Sequence, residues 1–177
     1  MTDFSERLLL TDSRETPVAR LPAWSLVVIP LAAILFQVYV PLYFGFLAYL
    51  ELPLLVVVYF ALIRRSPVAG TLVGAAVGLM QDSLSHQPLG MFGIVKTLVG
   101  YFAASIGTRF EMDHFLVRFV VGYFFFFFHQ FLYWVLTRAL LGQPMIFDVK
   151  QTLLFGLLNA TVAIPLFHIF DKLKEAS

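Results

Sequence analysis

The sequence predicts an all-α integral membrane protein, a bundle of about six transmembrane helices with both termini in the cytoplasm. Three observations carry this expectation. Of 177 residues, 60% are hydrophobic and only 13% charged. A soluble domain carries about 25% charged residues, so this chain lacks the polar groups to cover a surface facing water. A mean hydropathy of +0.86 agrees. The apolar residues fall into six segments, and the basic residues concentrate on alternate connections between them.

Residues 1–23 are polar and mixed in charge, with Asp3, Glu6, Arg7, Asp12, Arg14, Glu15 and Arg20. Pro17 and Pro22 break any long helix there. This stretch reads as a cytoplasmic tail. The first apolar segment, Trp24–Tyr43, has no A-x-A-like cleavage site after it and is expected to stay as an anchor. The others are Phe46–Ile63, Val68–Met80, Leu89–Ile106, Phe115–Leu141 and Lys150–Phe170. Residues 24–170 thus form the membrane domain, and 171–177 a short cytoplasmic tail. A span needs about 20 apolar residues, with roughly 17 as the lower limit. Five segments meet it. The third gives only about 20 Å of helix and completes a crossing only if the polar stretch after it lies inside the protein.

Orientation follows from Lys and Arg. With the N-terminus inside and six crossings, Arg7, Arg14, Arg20, Arg64, Arg65, Arg109, Arg118, Lys172 and Lys174 lie inside. Arg138 and Lys150 lie outside, and Lys96 lies within a span. Five crossings would spoil this pattern. Trp24, Tyr133 and Trp134 suit interfacial aromatic belts. The run Phe124–Phe128 covers every side of a helix, so its rings are expected to meet lipid and neighbouring helices.

Several chemistries are excluded. The absence of cysteine removes disulfides, thiolate catalysis and cysteine metal sites. His86, His114, His129 and His168 are scattered without zinc-site spacing. There is no phosphate-binding G-x-x-x-x-G-K-[ST] loop and no basic tract suited to nucleic acid. No metal or cofactor is expected. Ser83 and His86 share a loop, but nothing supplies the third orienting group or the oxyanion site that nucleophilic catalysis requires. An intramembrane enzyme would need paired acids or an activated nucleophile, and the spans offer only Glu51, Asp82, Lys96 and single neutral polar groups. The chain is expected not to be an enzyme.

Residues 70–107 differ from the rest. Gly70, Gly74 and Gly78 recur every four residues, and Gly93, Gly100 and Gly107 every seven. Each set lines one helix face with hydrogen atoms, which lets another backbone approach closely. The two segments therefore read as a tightly packed hairpin. Its loop, Gln81 to Gly90, is the dense polar cluster of the outer side. Asp82 there needs a partner, with the hydroxyls of Ser83 and Ser85 and the backbone N–H groups of the turn as candidates. Pro88 suits the first turn of the fourth helix, where a missing N–H costs nothing. The loop is either a binding surface held in one shape or a simple cap.

Glu51, Asp82 and Lys96 all fall in the outer half of the bundle. Lys96 lies about two turns, roughly 10 Å, into its segment. It pairs with Asp82 or Glu51, or its long stem snorkels to the interface. Gln37, His129, Gln130 and Asn159 read as hydrogen-bonding links between helices.

The stretch from Gly74 to Gly90, GAAVGLMQDSLSHQPLG, resembles the signature of the MreD family of rod shape-determining proteins. In that pattern a glycine-rich short helix runs into an aspartate, a serine and a closing Leu-Gly. Gly78, Asp82, Ser85, Leu89 and Gly90 occupy the matching positions. The segment opening at Glu51 is similar to the family's second span, with its acidic residue beside a proline. The resemblance implies a multispan component of the cell-wall elongation machinery in the bacterial inner membrane. It further implies association with the bitopic protein MreC. Through MreC it implies an indirect link to MreB filaments, the glycosyltransferase RodA and its partner transpeptidase. An alternative is the substrate-binding membrane subunit of an energy-coupling-factor vitamin transporter, also a small six-helix protein. That alternative needs an outer polar pocket, for which Glu51, Asp82, His86 and Lys96 are the candidate lining.

Overall fold

The computed structural model describes residues 21–22, 24–85, 88–109 and 114–174, and no strand occurs among them. Six α-helices follow one another: α1 Ser25–Tyr39, α2 Leu52–Arg64, α3 Pro67–Leu84, α4 Met91–Gly107, α5 Phe115–Leu141 and α6 Val149–Asp171. Two short 3₁₀ turns, Val40–Leu42 and Gly45–Tyr49, join α1 to α2. The expected fold class is observed. His86, the first twenty residues and the last three lie outside the described residues, so the tails keep the status of expectations.

The centre of the bundle is α2. Every residue from Pro53 to Leu62 is buried, and α2 touches each of the other five helices. A helix apolar on all sides, LPLLVVVYFALIR, is stable only where every side is covered. It is short because Leu50 and Glu51 leave helical geometry and Pro53 permits a fresh first turn. With the 3₁₀ turn before it, the segment Gly45–Arg64 still reaches 20 residues.

Four stretches are long and apolar enough to cross a membrane: Ser25–Leu42, Gly45–Arg64, Phe115–Leu141 and Val149–Asp171. The fourth segment was expected to qualify from Leu89. Its helix starts two residues later at Met91 and has 17 residues. The third runs the other way. It does not stop at Met80 but continues through Gln81, Asp82, Ser83 and Leu84 to 18 residues. Gln81 and Asp82 are buried and Ser83 is exposed, so the first part of that polar stretch lies inside the protein.

Two chain reversals set which ends meet. Arg65, in the left-handed region at φ 49°, turns α2 into α3, where Ser66 caps the Ala69 N–H. Gly142, at φ 61°, ends α5, and Asp148 caps α6 through the Gln151 N–H. Arg64, Arg65, Arg109, Arg118, Lys172 and Lys174 therefore gather at one end of the bundle, the basic end. Glu51, Asp82 and Lys96 lie toward the other.

The aromatic run divides as expected. Phe125 and Phe126 are buried, while Phe124 is half exposed on the outside of α5.

Candidate functional site

The glycine stripes of α3 and α4 face each other in antiparallel register. Gly70 lies against Gly100 and Ala104, Gly74 against Lys96 and Thr97, and Gly78 against Phe92 and Gly93. A Cβ on Gly70, Gly74 or Gly78 would run into a carbonyl oxygen of α4, closer than the 3.0 Å that real Cβ atoms respect. At the basic end Gly107 packs on the Leu62 carbonyl, so α4 also seats closely on α2.

This close approach places Asp82, in the last turn of α3, at the start of α4. Its Oδ2 accepts the Gly90 and Gly93 N–H groups at 3.0 and 2.9 Å, and its Oδ1 accepts the Phe92 N–H at 3.0 Å. The first N–H groups of a helix have no partner within it, and its N-terminus favours an anion. Gly90 stands at the N-cap with no side chain to cap with. Asp82 supplies the cap from the neighbouring helix. Gly90 adopts φ +93°, a conformation open to glycine.

The serines do not hold Asp82. Ser83 Oγ donates to the Leu79 carbonyl in its own helix, and Ser85 Oγ finds no partner among the described residues. Backbone N–H groups serve because helix α4 begins directly against the carboxylate. Pro88 does not sit in the first turn of α4. It precedes the helix, and its carbonyl accepts the Met91 N–H. Leu89 projects outward, 81% exposed.

Lys96 is fully buried, which excludes snorkelling. Its Nζ lies 3.7 Å from Glu51 Oε2 and 3.4 Å from His129 Nε2. Glu51, and not Asp82, is its partner: the Asp82 carboxylate is turned to α4's N-terminus. The ammonium also lies 4.5 Å from the centroid of the Phe92 ring, which stacks on His129 and Tyr133. Burying such a charge is costly without a counter-charge and donors' partners. Glu51 can serve because the break before α2 leaves it at the helix cap. Its N–H donates to Asn159 Oδ1 at 2.8 Å, while Asn159 Nδ2 donates to the Tyr49 and Phe155 carbonyls. Asn159 thus pins the break to α6, an interhelical link of the expected kind.

Sequence reasoning passed over two features. Phe92 as a platform for Lys96 gave a usable signal, since the two are four apart on one helix and face the same way. The second is at the basic end. Asp171 accepts hydrogen bonds from Tyr59 and Arg118 and pairs with Lys174. It is the acid directly after the last apolar segment, with Lys172 and Lys174 beside it, and that pattern was a usable signal.

The arrangement binds helices to one another. Asp82 has its oxygens filled by backbone donors, Lys96 is sealed from solvent, and no group of three or more metal-ligating side chains occurs among the described residues. Asp82 and Lys96 therefore do not line an open vitamin pocket, and His86 lies outside the described residues.

A family model described as rod shape-determining protein MreD matches residues 19–176. The chain belongs to the MreD family. It is a membrane component of the rod-shape machinery. No curated protein and no solved structure matches it. The Asp82-centred stretch that resembles the family signature also holds the α3–α4 hairpin closed.

Proposed function

We propose that this member of the MreD family is the non-enzymatic inner-membrane partner of MreC, with the basic end and both termini in the cytoplasm. In this reading residues 24–170 are the membrane domain, flanked by the cytoplasmic tails 1–23 and 171–177. The outer loop of Asp82, Ser85, Pro88, Leu89 and Gly90 serves assembly and not chemistry. Through MreC the protein acts at one remove on MreB, RodA and its partner transpeptidase.

The observation that supports this reading is the trio of N–H groups on Asp82. A carboxylate so engaged is poorly placed to move a proton or attack a substrate. It is well placed to fix the loop, and the fixed loop presents Leu89 outward.

The test is co-purification with MreC, together with rod shape in a depletion strain. Asp82→Asn turns an amide N–H toward backbone donors and should lower stability by about 1–3 kcal/mol, with loss of MreC. Leu89→Asp should leave thermal stability unchanged and still lose MreC. If Leu89→Asp and Asp82→Asn both keep MreC and rod shape, the loop is a structural cap and the reading fails.

A further inference from the structure

A cleft that the assembly role does not use lies between α5, the start of α6 and the second 3₁₀ turn. Its volume is about 180 Å³, and Gln130, Asp148, Gln151 and Thr152 line it together with Tyr49 and Phe155. Aromatic packing sets its shape. Tyr49 stacks on Phe155 with ring centroids 3.7 Å apart. The α5–α6 connection bounds the cleft and is pinned to α5 at two points. The Trp134 Nε1–H donates to the Met145 carbonyl at 2.9 Å, and the Phe147 ring meets those of Phe131 and Trp134.

Gln130 carries the inference. An amide within a span is expected to link helices, as Asn159 does. Gln130 is half-buried, yet its side chain has no hydrogen-bond partner among the described residues and lines the cleft instead. The Gln151 side chain has none there either. The Asp148 carboxylate uses only Oδ1, which accepts the Gln151 N–H at 3.0 Å. Three polar side chains from two helix regions thus meet in one cleft with unused hydrogen-bonding capacity.

Their chemistry selects the ligand. Each amide both donates and accepts, and the Asp148 carboxylate only accepts, so the ligand must offer donors and acceptors along one edge. The ring pair beside them suits an apolar face. An acyl chain would leave both amides unpaired. A phosphate or carboxylate would meet the Asp148 carboxylate, and an ammonium would leave the amide N–H groups unmatched. A sugar ring has a hydroxyl edge and a C–H face. Drug-sized ligands need at least about 300 Å³, so this cleft has room for one ring.

We propose that this cleft binds a single neutral sugar ring, free or carried as a lipid headgroup, with its hydroxyls on Gln130, Gln151 and Asp148 and its C–H face against the Tyr49–Phe155 pair. The test places the full-length protein in phosphatidylcholine nanodiscs, so that no sugar detergent competes. Equimolar glucosyl-diacylglycerol and phosphatidylethanolamine are added, and native mass spectrometry reads the lipid retained. Wild type should prefer the glucosyl lipid about tenfold, as two net hydrogen bonds supply. Gln130→Leu and Gln151→Leu should each lower the preference to about threefold, and the double variant should bring it close to unity. Gln130→Leu should also keep the wild-type Tm, because Gln130 ties no helix to another. Excess methyl glucoside separates the two sources: displacement assigns the cleft to the ring alone, and persistence assigns it to the lipid-borne headgroup. Equal retention of the two lipids by wild type overturns the proposal, as does an undiminished preference in the double variant. A lower Tm in Gln130→Leu makes that residue a structural link and overturns it as well. Preferential retention of phosphatidylethanolamine overturns it too, and assigns the cleft to an ammonium.

Discussion

The residue that most repays attention is Lys96, because its burial is complete and its partner was open on sequence grounds. Spacing along the chain placed Glu51 and Asp82 at the same depth, and periodicity cannot choose between two carboxylates on different helices. The choice is made by backbone ends. Asp82 is drawn to the unpaired N–H groups that open α4, whereas Glu51 is freed by the break before α2. The pairing at 3.7 Å leads to a double-mutant prediction. Lys96→Met alone should destabilise by about 3 kcal/mol, the order expected when one partner of a buried pair is left behind. Adding Glu51→Gln should recover much of that loss, a coupling above about 1 kcal/mol. Adding Asp82→Asn should instead give additive losses, within about 0.5 kcal/mol. Thermal unfolding in detergent of the three singles and two doubles measures both couplings, and a larger coupling to Asp82 would reverse the assignment.

At the scale of elements, six helices and the glycine hairpin were legible because lipid-facing apolar runs and a four-residue glycine spacing are local patterns. What was not legible was length. Segment ends were placed where polarity begins, at Met80 and Leu89. A polar residue need not end a helix. Gln81 and Asp82 face neighbouring helices, so α3 runs on to Leu84. The Asp82 cap likewise sets α4's start at Met91 and leaves Pro88 outside. The register of the hairpin, in turn, rests on atoms that are missing. Even Gly74→Ala should disturb it, since the added methyl meets the Lys96 carbonyl, a backbone atom that cannot swing aside. We expect a cost of about 1–3 kcal/mol by analogy with overpacked cores. Gly45→Ala, where nothing lies within 4 Å, should be silent. Equal thermal stabilities for the two variants would mean the hairpin is not as tight as its backbone contacts indicate.

At the scale of the whole molecule, the bundle is polarised. Six basic residues and Asp171 gather at one end, and Arg138 and Lys150 lie at the other. The ionisable residues Glu51, Asp82 and Lys96 of the outer half bind helix to helix. The Tyr59–Arg118–Asp171–Lys174 cluster does the same at the basic end. Between them runs α2, whose buried stretch Pro53–Leu62 carries only the Tyr59 hydroxyl as a polar side-chain group, so each end is tied separately while α2's middle is held by packing. Insertion obeys the excess of Lys and Arg in short connections. Both Arg64–Arg65 and Arg109 lie in such connections, so the basic end should face the cytoplasm. Reporter fusions after Arg65, Arg109 and Ser177 should then report cytoplasm, and fusions near His86 and Gly142 should report periplasm. Replacing Arg64, Arg65 and Arg109 together by Gln should weaken that bias and yield mixed reporter signals, because the remaining basic residues lie nearer the chain ends. A periplasmic signal at Ser177 in the wild-type chain would put the basic end outside and overturn this orientation. It would also place the Asp82–Leu89 end of the bundle in the cytoplasm, against the assembly role proposed for it.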